Sequence, residues 1–464
     1  MTEPKIFHLI NRLSFGVTPG QTQQVQQMGI DAYIKTQLQP QTISYPADLT
    51  EKLNPLNTLV WQPGEVILAE KQTIEQAKTL GLDSKSMMKI KQSFYQKIIQ
   101  QAKRGRLLRA FASPRQLEEI MVDFWYNHFN VFFGKGVLTR QFFSSYEQHA
   151  IRPHALGNFR QLLGATAKHP AMLVYLDNWQ NTAPGSPGAK GSFKGLNENY
   201  ARELLELHTL GVNGGYSQKD IIELAKILTG WGLFKPIVKT STKSGFYFDE
   251  TRHDFSDKVF LGNSIKSSGI NEGEEALNIL ARHPSTAQHI SYQLAQNFVS
   301  DTPPDSLVKK LAKTFLDSDG NIATVLQTLF QSNEFWQTNT YQTKFKTPYR
   351  YLVSVMRIIG TVTNFEPLDG ILNQLGMPLY GCPSPDGYKN IQSAWLNPDA
   401  MVRRSSLSVP LSNGLLHDGK PIDANFLAST LENNFSPQTR SVLEKNSPNL
   451  RGALILGSPE FMMY

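Results

Sequence analysis

The residues best placed to do chemistry lie on a predicted helix over 198–210. Glu198, Arg202 and Glu206 are spaced at i, i+4 and i+8, so at about 100° per residue they fall on one stripe, with Asn199 beside it. Two carboxylates around one guanidinium form a self-pairing ladder, and their pKa values can be pushed apart as acid–base chemistry requires. The same ladder is also typical of a structural ion pair.

A second polar stripe follows one face of the predicted helix that begins near Ser113. Glu119, Asp123, Asn127 and Asn130 recur at i, i+4, i+8 and i+11 in an otherwise aromatic helix. His128 lies on a different face, where it is either a satisfied core histidine or part of a site. We predict that this helix and the helix over 198–210 face a common centre.

Further candidate groups come from two short segments. His253, Asp254 and Lys258 fall within six residues and offer a general base or a ligand, and Asp177 precedes a loop rich in glycine, proline and serine. The predicted catalytic residues are Glu198, Arg202, Glu206, His128, His253 and Asp254, and the predicted substrate-binding residues are Asn127, Asn130, Asp177, Asn199 and Lys258.

Composition limits the class of protein that carries these residues. The chain has 464 residues, a net charge of +7 and one cysteine, Cys382, so it has no intramolecular disulfide. No apolar run approaches the ~18 residues of a transmembrane helix, and the N-terminus lacks a run of signal-peptide length. We therefore expect a cytoplasmic protein. The basic stretch 85–109 has few interleaved aromatic residues, so nucleic acid is not an expected partner.

The pattern of apolar residues predicts a mainly α-helical protein. We expect one large multi-helix domain over 1–464, with a sub-boundary near residue 340 and a small β-hairpin inserted at 237–262. Ser217 and Asp220 predict a capping box at the start of one helix. The segment 181–195 is predicted to be a flexible loop, and its position before the polar helix makes it a candidate lid.

Several motifs carry a resemblance to a known family. They include HLINRLSFGVTP near the start, FWYNHFNVFFGKG, LNENYARELLELHTLGVNGGYSQKDIIELAKILTGW and a tail with PSPDGY and AWLNP. In this order they resemble the bacterial family catalogued as domain of unknown function 1800, over nearly the whole chain. The resemblance implies a helical unit, export in many members, and a partner encoded by a neighbouring gene that resembles the alkaline phosphatase and sulfatase fold.

Two functions remain open from the sequence. The first is a hydrolase- or transferase-like enzyme in which Glu198 or Glu206 is the acid or base, Arg202 holds an anionic group, and His128 or His253 transfers a proton. A divalent metal is a variant of this hypothesis, although the Glu-x-x-His spacing of di-iron bundles is missing. The second is a non-catalytic partner or assembly protein whose polar helices are internal networks and whose basic stretch docks an acidic partner.

Overall fold

The architecture is mainly α-helical, as predicted. The structure is a computed structural model and describes residues 3–233 and 244–464. The helices of the first half are α1 Glu3–Leu13, α2 Gln21–Met28, α3 Ile30–Gln37, α4 Ala47–Leu53, α5 Pro63–Thr79, α6 Ser84–Ala112, α7 Gln116–His128, α8 Val137–Tyr146, α9 Phe159–Lys168, α10 Pro170–Tyr175, α11 Asn199–Glu203 and α12 Gln218–Ile227.

The second half is also helical, and its last helices are short. They are α13 Ile270–Ala281, α14 Pro284–Phe298, α15 Asp305–Asp317, α16 Ile322–Phe330, α17 Pro348–Ile359, α18 Leu368–Gln374, α19 Gln392–Trp395, α20 Pro398–Ser412, α21 Ala424–Thr430, α22 Pro437–Lys445, α23 Pro448–Leu456 and α24 Pro459–Met462. Within the described ranges, no helix is long and apolar enough to cross a membrane.

Two small antiparallel hairpins interrupt the helices where one was predicted. β1 (Trp231–Leu233) pairs with β2 (Phe246–Phe248), and β3 (Lys258–Phe260) pairs with β4 (Asn263–Ile265). Both turn residues between β3 and β4 have positive φ, which matches the twist of a tight hairpin turn. The strands extend beyond the predicted 237–262 at both ends, and its part 237–243 lies outside the described residues.

One continuous hydrophobic core runs through the helices and includes residues from α1 to α24. Helix α7 lies inside it, because Trp125 is fully buried and donates from its indole nitrogen to Ala155 O at 2.9 Å. Contacts also join the two sides of the predicted sub-boundary near residue 340. Arg350 Nη2 donates to Ser14 O at 2.5 Å, and Arg357 Nε donates to Gly16 O at 2.6 Å.

The predicted helix over 198–210 divides into two kinds of turn. It starts as α11 and continues as a π-helical turn over Leu204–His208, in which Thr209 Oγ1 donates back to Leu204 O at 2.6 Å. A second π-helical turn, Glu147–Ile151, follows α8. Such turns are rare and are frequent at functional sites. The capping box of α12 forms as predicted between Ser217 and Asp220.

Candidate functional site

The polar stripe of α7 is buried at Glu119 and Asn130 and partly buried at Asp123 and Asn127, and each of its members has a specific partner. Arg152 binds both carboxylate oxygens of Glu119, at 2.8 and 3.0 Å, and Arg106 donates to Asp123. Asn127 contacts the backbone of Tyr388. Because an unpaired buried polar group costs several kcal/mol, this helix is stable only with these partners in place. The predicted polar face of α7 therefore binds the neighbouring segments and fixes their positions around this helix.

Asn127 and Asn130 hold the PSPDGY loop against α7. Asn127 donates to Tyr388 O at 2.8 Å and accepts from Tyr388 N at 2.7 Å, as a neighbouring strand would. Asn130 donates to the carbonyls of Cys382 and Ser384, at 3.0 and 2.7 Å. A Cβ on Gly387 would stand 2.3 Å from Asn127 O, and the Gly387 φ of 66° favours glycine as well. Both asparagines thus position a loop that carries charged groups.

A cavity of about 380 Å³ opens beside this loop. Its walls come from α7, the π-helical turn Leu204–His208, α14, the start of α17 and the loop 377–390. The ionisable and amide side chains in its wall are Asp123, Asn127, His128, Glu206, His289, Gln293, Gln296, Asn297, Arg350, Asp386, Lys389 and Asn390. We call it the α7 cavity. A smaller pocket behind it shares Asp123 and Asn127 and adds Arg106 and Asn130.

Two carboxyl groups of the α7 cavity lie in opposite electrostatic environments. Burial raises the pKa of Asp123 above its usual range, although the Arg106 guanidinium acts in the other direction. Burial also acts on Asp386, but hydrogen bonds from Lys389 and Ser384 outweigh it and hold the pKa of Asp386 below its usual range. The Lys389–Asp386 pair is 2.5 Å long. The cavity therefore combines one carboxyl group whose pKa is raised with one whose pKa is lowered.

Arg106 links Asp123 to a buried charge network. It donates to Glu147 Oε2 at 3.1 Å, and Tyr380 donates to the same oxygen at 2.9 Å. Burial acts to raise the pKa of Glu147, but the charges of Arg106 and Arg152 outweigh it and lower that pKa. Arg106 is thus shared between the fully buried carboxylate of Glu147 and Asp123. It therefore stabilises the ionised form of Asp123 less than a guanidinium paired with Asp123 alone would.

Two histidines, His128 and His289, line the α7 cavity, and a third, His208, packs against His128. The ring centroid of His128 lies 6.1 Å from that of His208 and 6.2 Å from that of His289. Burial lowers the pKa of His128 to about 3 and that of His208 well below its ordinary value. The Nε2 of His128 lies 3.1 Å from His208 O. These rings are therefore neutral at physiological pH; His128 and His289 form hydrogen bonds, whereas neither ring nitrogen of His208 has a partner among the described residues.

The predicted ladder over Glu198, Arg202 and Glu206 forms, with only Glu206 in the described wall of the α7 cavity. Arg202 lies 3.4 Å from Glu198 and 3.6 Å from Glu206, and about two fifths of its side chain is exposed. It also donates to Gln218 Oε1 at 3.1 Å. The ladder thus runs from the cavity edge along a half-exposed helix face.

Asp177 and Asn199 both lie outside the described cavity wall. Asn199 donates to Leu176 O at 3.1 Å, and Asp177 pairs with Lys135 at 2.8 Å. The predicted flexible loop 181–195 packs on a neighbouring segment, where Ala183 N donates to Arg252 O and Gly188 N donates to Thr251 O, both at 2.8 Å. Among the described residues, this loop contributes none to the cavity wall.

His253, Asp254 and Lys258 form a separate, sealed cluster with Glu272. His253 Nε2 lies 3.1 Å from Glu272 Oε1, Lys258 Nζ lies 2.6 Å from Glu272 Oε2, and all three side chains are fully buried. Lys258 also donates to Asp254 O. The backbone nitrogens of Ser268 and Gly269 donate to Glu272 as well. Every acceptor of Glu272 is therefore occupied by the protein itself.

The structure unites Asn127, His128 and Glu206 in the cavity, and other members of the cavity were not predicted. Asp123 stands on the stripe that the sequence reveals, and Asp386 belongs to the PSPDGY motif. Arg350 and His289 come from helices without a local signal, because only the tertiary fold brings α14 and α17 to this point. In the described ranges, no group of three or more His, Cys, Asp or Glu side chains has the geometry of a metal site.

Comparisons with known proteins identify the family. The family model described as "Protein of unknown function (DUF1800)" matches residues 8–463. Neither the curated proteins nor the solved structures contain a match. Since the model spans nearly the full length, including every element of the α7 cavity, the chain belongs to the DUF1800 family of proteins of unknown function.

Proposed function

We propose that this protein is a hydrolase- or transferase-like enzyme that performs acid–base chemistry in the α7 cavity. The observation that carries the proposal is the pair Asp123 and Asp386, two carboxyl groups in one open cavity whose environments shift their pKa values in opposite directions. Enzymes assign acid and base roles by separating the pKa values of neighbouring groups in this way.

Each group has a role that follows from its environment. Asp123 donates a proton, because burial favours its protonated form. Asp386 stays ionised and either accepts a proton or stabilises positive charge. Glu206 is a third carboxyl group at the cavity edge, and neutral His128 orients the ligand by hydrogen bonding. The proposal assigns no reaction step to Glu198, Arg202, His253 or Asp254, whose side chains pair with other protein groups outside the described cavity wall.

A panel of hydrolase and transferase reporter substrates tests this proposal. We expect one activity that falls by about 10²–10⁴-fold in Asp123→Asn, the usual contribution of a positioned acid. Glu198→Gln is the matched control, since it also neutralises a carboxylate but outside the cavity wall. An activity that survives in Asp123→Asn, or that falls equally in both variants, would contradict the proposal.

A second candidate, binding to a partner protein, is favoured by the tip of the α5–α6 hairpin. Leu80 and Met88 are 75% and 73% exposed there, beside the exposed Lys85 and Lys89. An acidic partner with an apolar patch suits this surface, and the neighbouring-gene product that the family resemblance implies is the first to try. Co-purification that is lost in Met88→Glu would support this role, and retention of the complex would exclude this surface.

A further inference from the structure

Two buried donors in the wall of the α7 cavity lack acceptors. Arg350 is 6% exposed, its Nη2 donates to the carbonyls of Asn11 and Ser14, and its Nε has no partner among the described residues. Asn297 is 9% exposed. Its Oδ1 accepts a hydrogen bond from Asn390 at 2.6 Å, but its Nδ2 has no acceptor among the described residues. Buried donors without acceptors are rare in folded proteins, so each of them calls for an explanation.

The charge of Arg350 is only partly balanced, because burial lowers its pKa even though the charges of Tyr464 and Asp123 act in the other direction. The other charged groups of the cavity wall have ion-pair partners, because Asp123 binds Arg106, Asp386 binds Lys389 and Glu206 faces Arg202. Among the described residues, Arg350 forms no ion pair with a carboxylate; instead it stacks on the Tyr464 ring at 3.7 Å. A buried cation without a close ion pair is costly, and an aromatic ring offsets only part of that cost.

Two other basic side chains, Lys346 and Arg12, interact electrostatically with Arg350. Burial, together with the nearby charges of Arg350 and Arg404, lowers the pKa of Lys346 well below its ordinary value. Burial also lowers the pKa of Arg12 to about 10, and the Arg350 charge contributes to that shift. Arg12 keeps its charge at neutral pH, so it adds to the attraction of Arg350 for an anion.

We propose that Arg350 and Asn297 bind an anionic oxygen group of the ligand, namely a phosphate, sulfate or carboxylate. Such a group supplies both missing acceptors and the missing negative charge in one step. This inference rests on the proposed function in that it places the anion in the same cavity as Asp123. It also reassigns the anion-holding role predicted for Arg202, which is already shared between Glu198, Glu206 and Gln218.

Isothermal titration calorimetry with inorganic phosphate, sulfate and acetate tests the inference without any need for turnover. We expect at least one of these anions to bind wild type and to bind Asn297→Asp about 10-fold or more weakly, because that variant replaces the donor by a negative charge. Asn297→Asp retains the oxygen that accepts from Asn390, and circular dichroism checks that the variant folds. Arg350→Met should lose binding as well. Asn425→Asp, an exposed position, makes the same change in charge and should bind as wild type does.

The outcomes separate this inference from the proposed function. The preferred anion identifies the group that the ligand carries. Absence of binding for all three anions, or equal affinity in wild type and Asn297→Asp, overturns the inference. If binding fails while Asp123→Asn still abolishes an activity, the proposed function stands alone; if binding succeeds without any such activity, the anion site stands alone.

Discussion

The α7 cavity and the cluster around Glu272 contain the same kinds of side chain. In the cluster these side chains are bound to one another, whereas in the cavity some of them face open space or lack a partner in the described part of the chain. In the cluster, His253 and Lys258 both bind Glu272, and all three are fully buried. In the cavity, Asp123 and His128 face an open space, and the Arg350 Nε lacks a partner among the described residues. Residue type alone is thus a poor indicator of a functional site. Whether the hydrogen-bonding atoms of a residue already have protein partners is a better one.

The difference has an energetic basis. A buried ion pair contributes little net stability, but removal of one partner leaves an uncompensated charge and is strongly destabilising. A carboxylate such as Glu272, whose oxygens all accept hydrogen bonds from the protein, cannot also bind a ligand. Groups in the cavity that lack a protein partner remain free to bind a ligand, but they lower the stability of the fold. This is the usual trade-off at functional sites.

The largest effect should follow from Glu272→Ala. This substitution leaves Lys258 buried without its carboxylate, so the free energy of unfolding should fall by about 3–5 kcal/mol. Urea denaturation followed by circular dichroism measures the loss. A change below about 1 kcal/mol would mean that the cluster is not the sealed network described above.

A smaller loss should follow from Asn127→Ala. The substitution removes both bonds to the Tyr388 backbone and leaves a half-buried loop end unpaired, at a cost of about 1–3 kcal/mol. Hydrogen exchange should show faster opening of the 382–388 loop, with the sealed cluster unchanged. Uniform acceleration over both regions would contradict the local role of Asn127.

The pH dependence of Asp123→Asn should differ in sign from that of most carboxylate variants. Because the folded-state pKa of Asp123 is raised, its favourable contribution is full at low pH and is lost as the pH rises through that folded pKa. Relative to wild type, the Tm of Asp123→Asn should therefore increase by roughly 1–3 °C between about pH 4 and pH 7. A relative decrease over this range would mean that Arg106 dominates the environment of Asp123.

The smallest effect should follow from Glu198→Ala. About a third of the Glu198 side chain is exposed, and exposed ion pairs contribute about 0–1 kcal/mol. Urea denaturation should place this variant close to wild type. A loss as large as that of Glu272→Ala would remove the distinction between the exposed ladder and the sealed cluster.

The sequence predicts those parts of the molecule that depend on local spacing. The stripe of α7, the ladder from Glu198 to Glu206 and the helical class follow from a 3.6-residue period, and the structure contains all three. The sequence could not show that His253 and Lys258 meet Glu272, because that cluster depends on the packing of α13 against the β3–β4 hairpin. The sequence also could not show that Arg350 lies in the cavity wall, because its position depends on how α17 packs in the tertiary fold.

The most direct test is a paired measurement of stability and activity in Glu272→Gln and Asp123→Asn. Glu272→Gln should lower the free energy of unfolding while its folded fraction retains the wild-type kcat/KM. Asp123→Asn should keep the stability at neutral pH and lose the activity. The opposite pattern, with activity lost in folded Glu272→Gln and kept in Asp123→Asn, would place the chemistry in the sealed cluster and contradict this account.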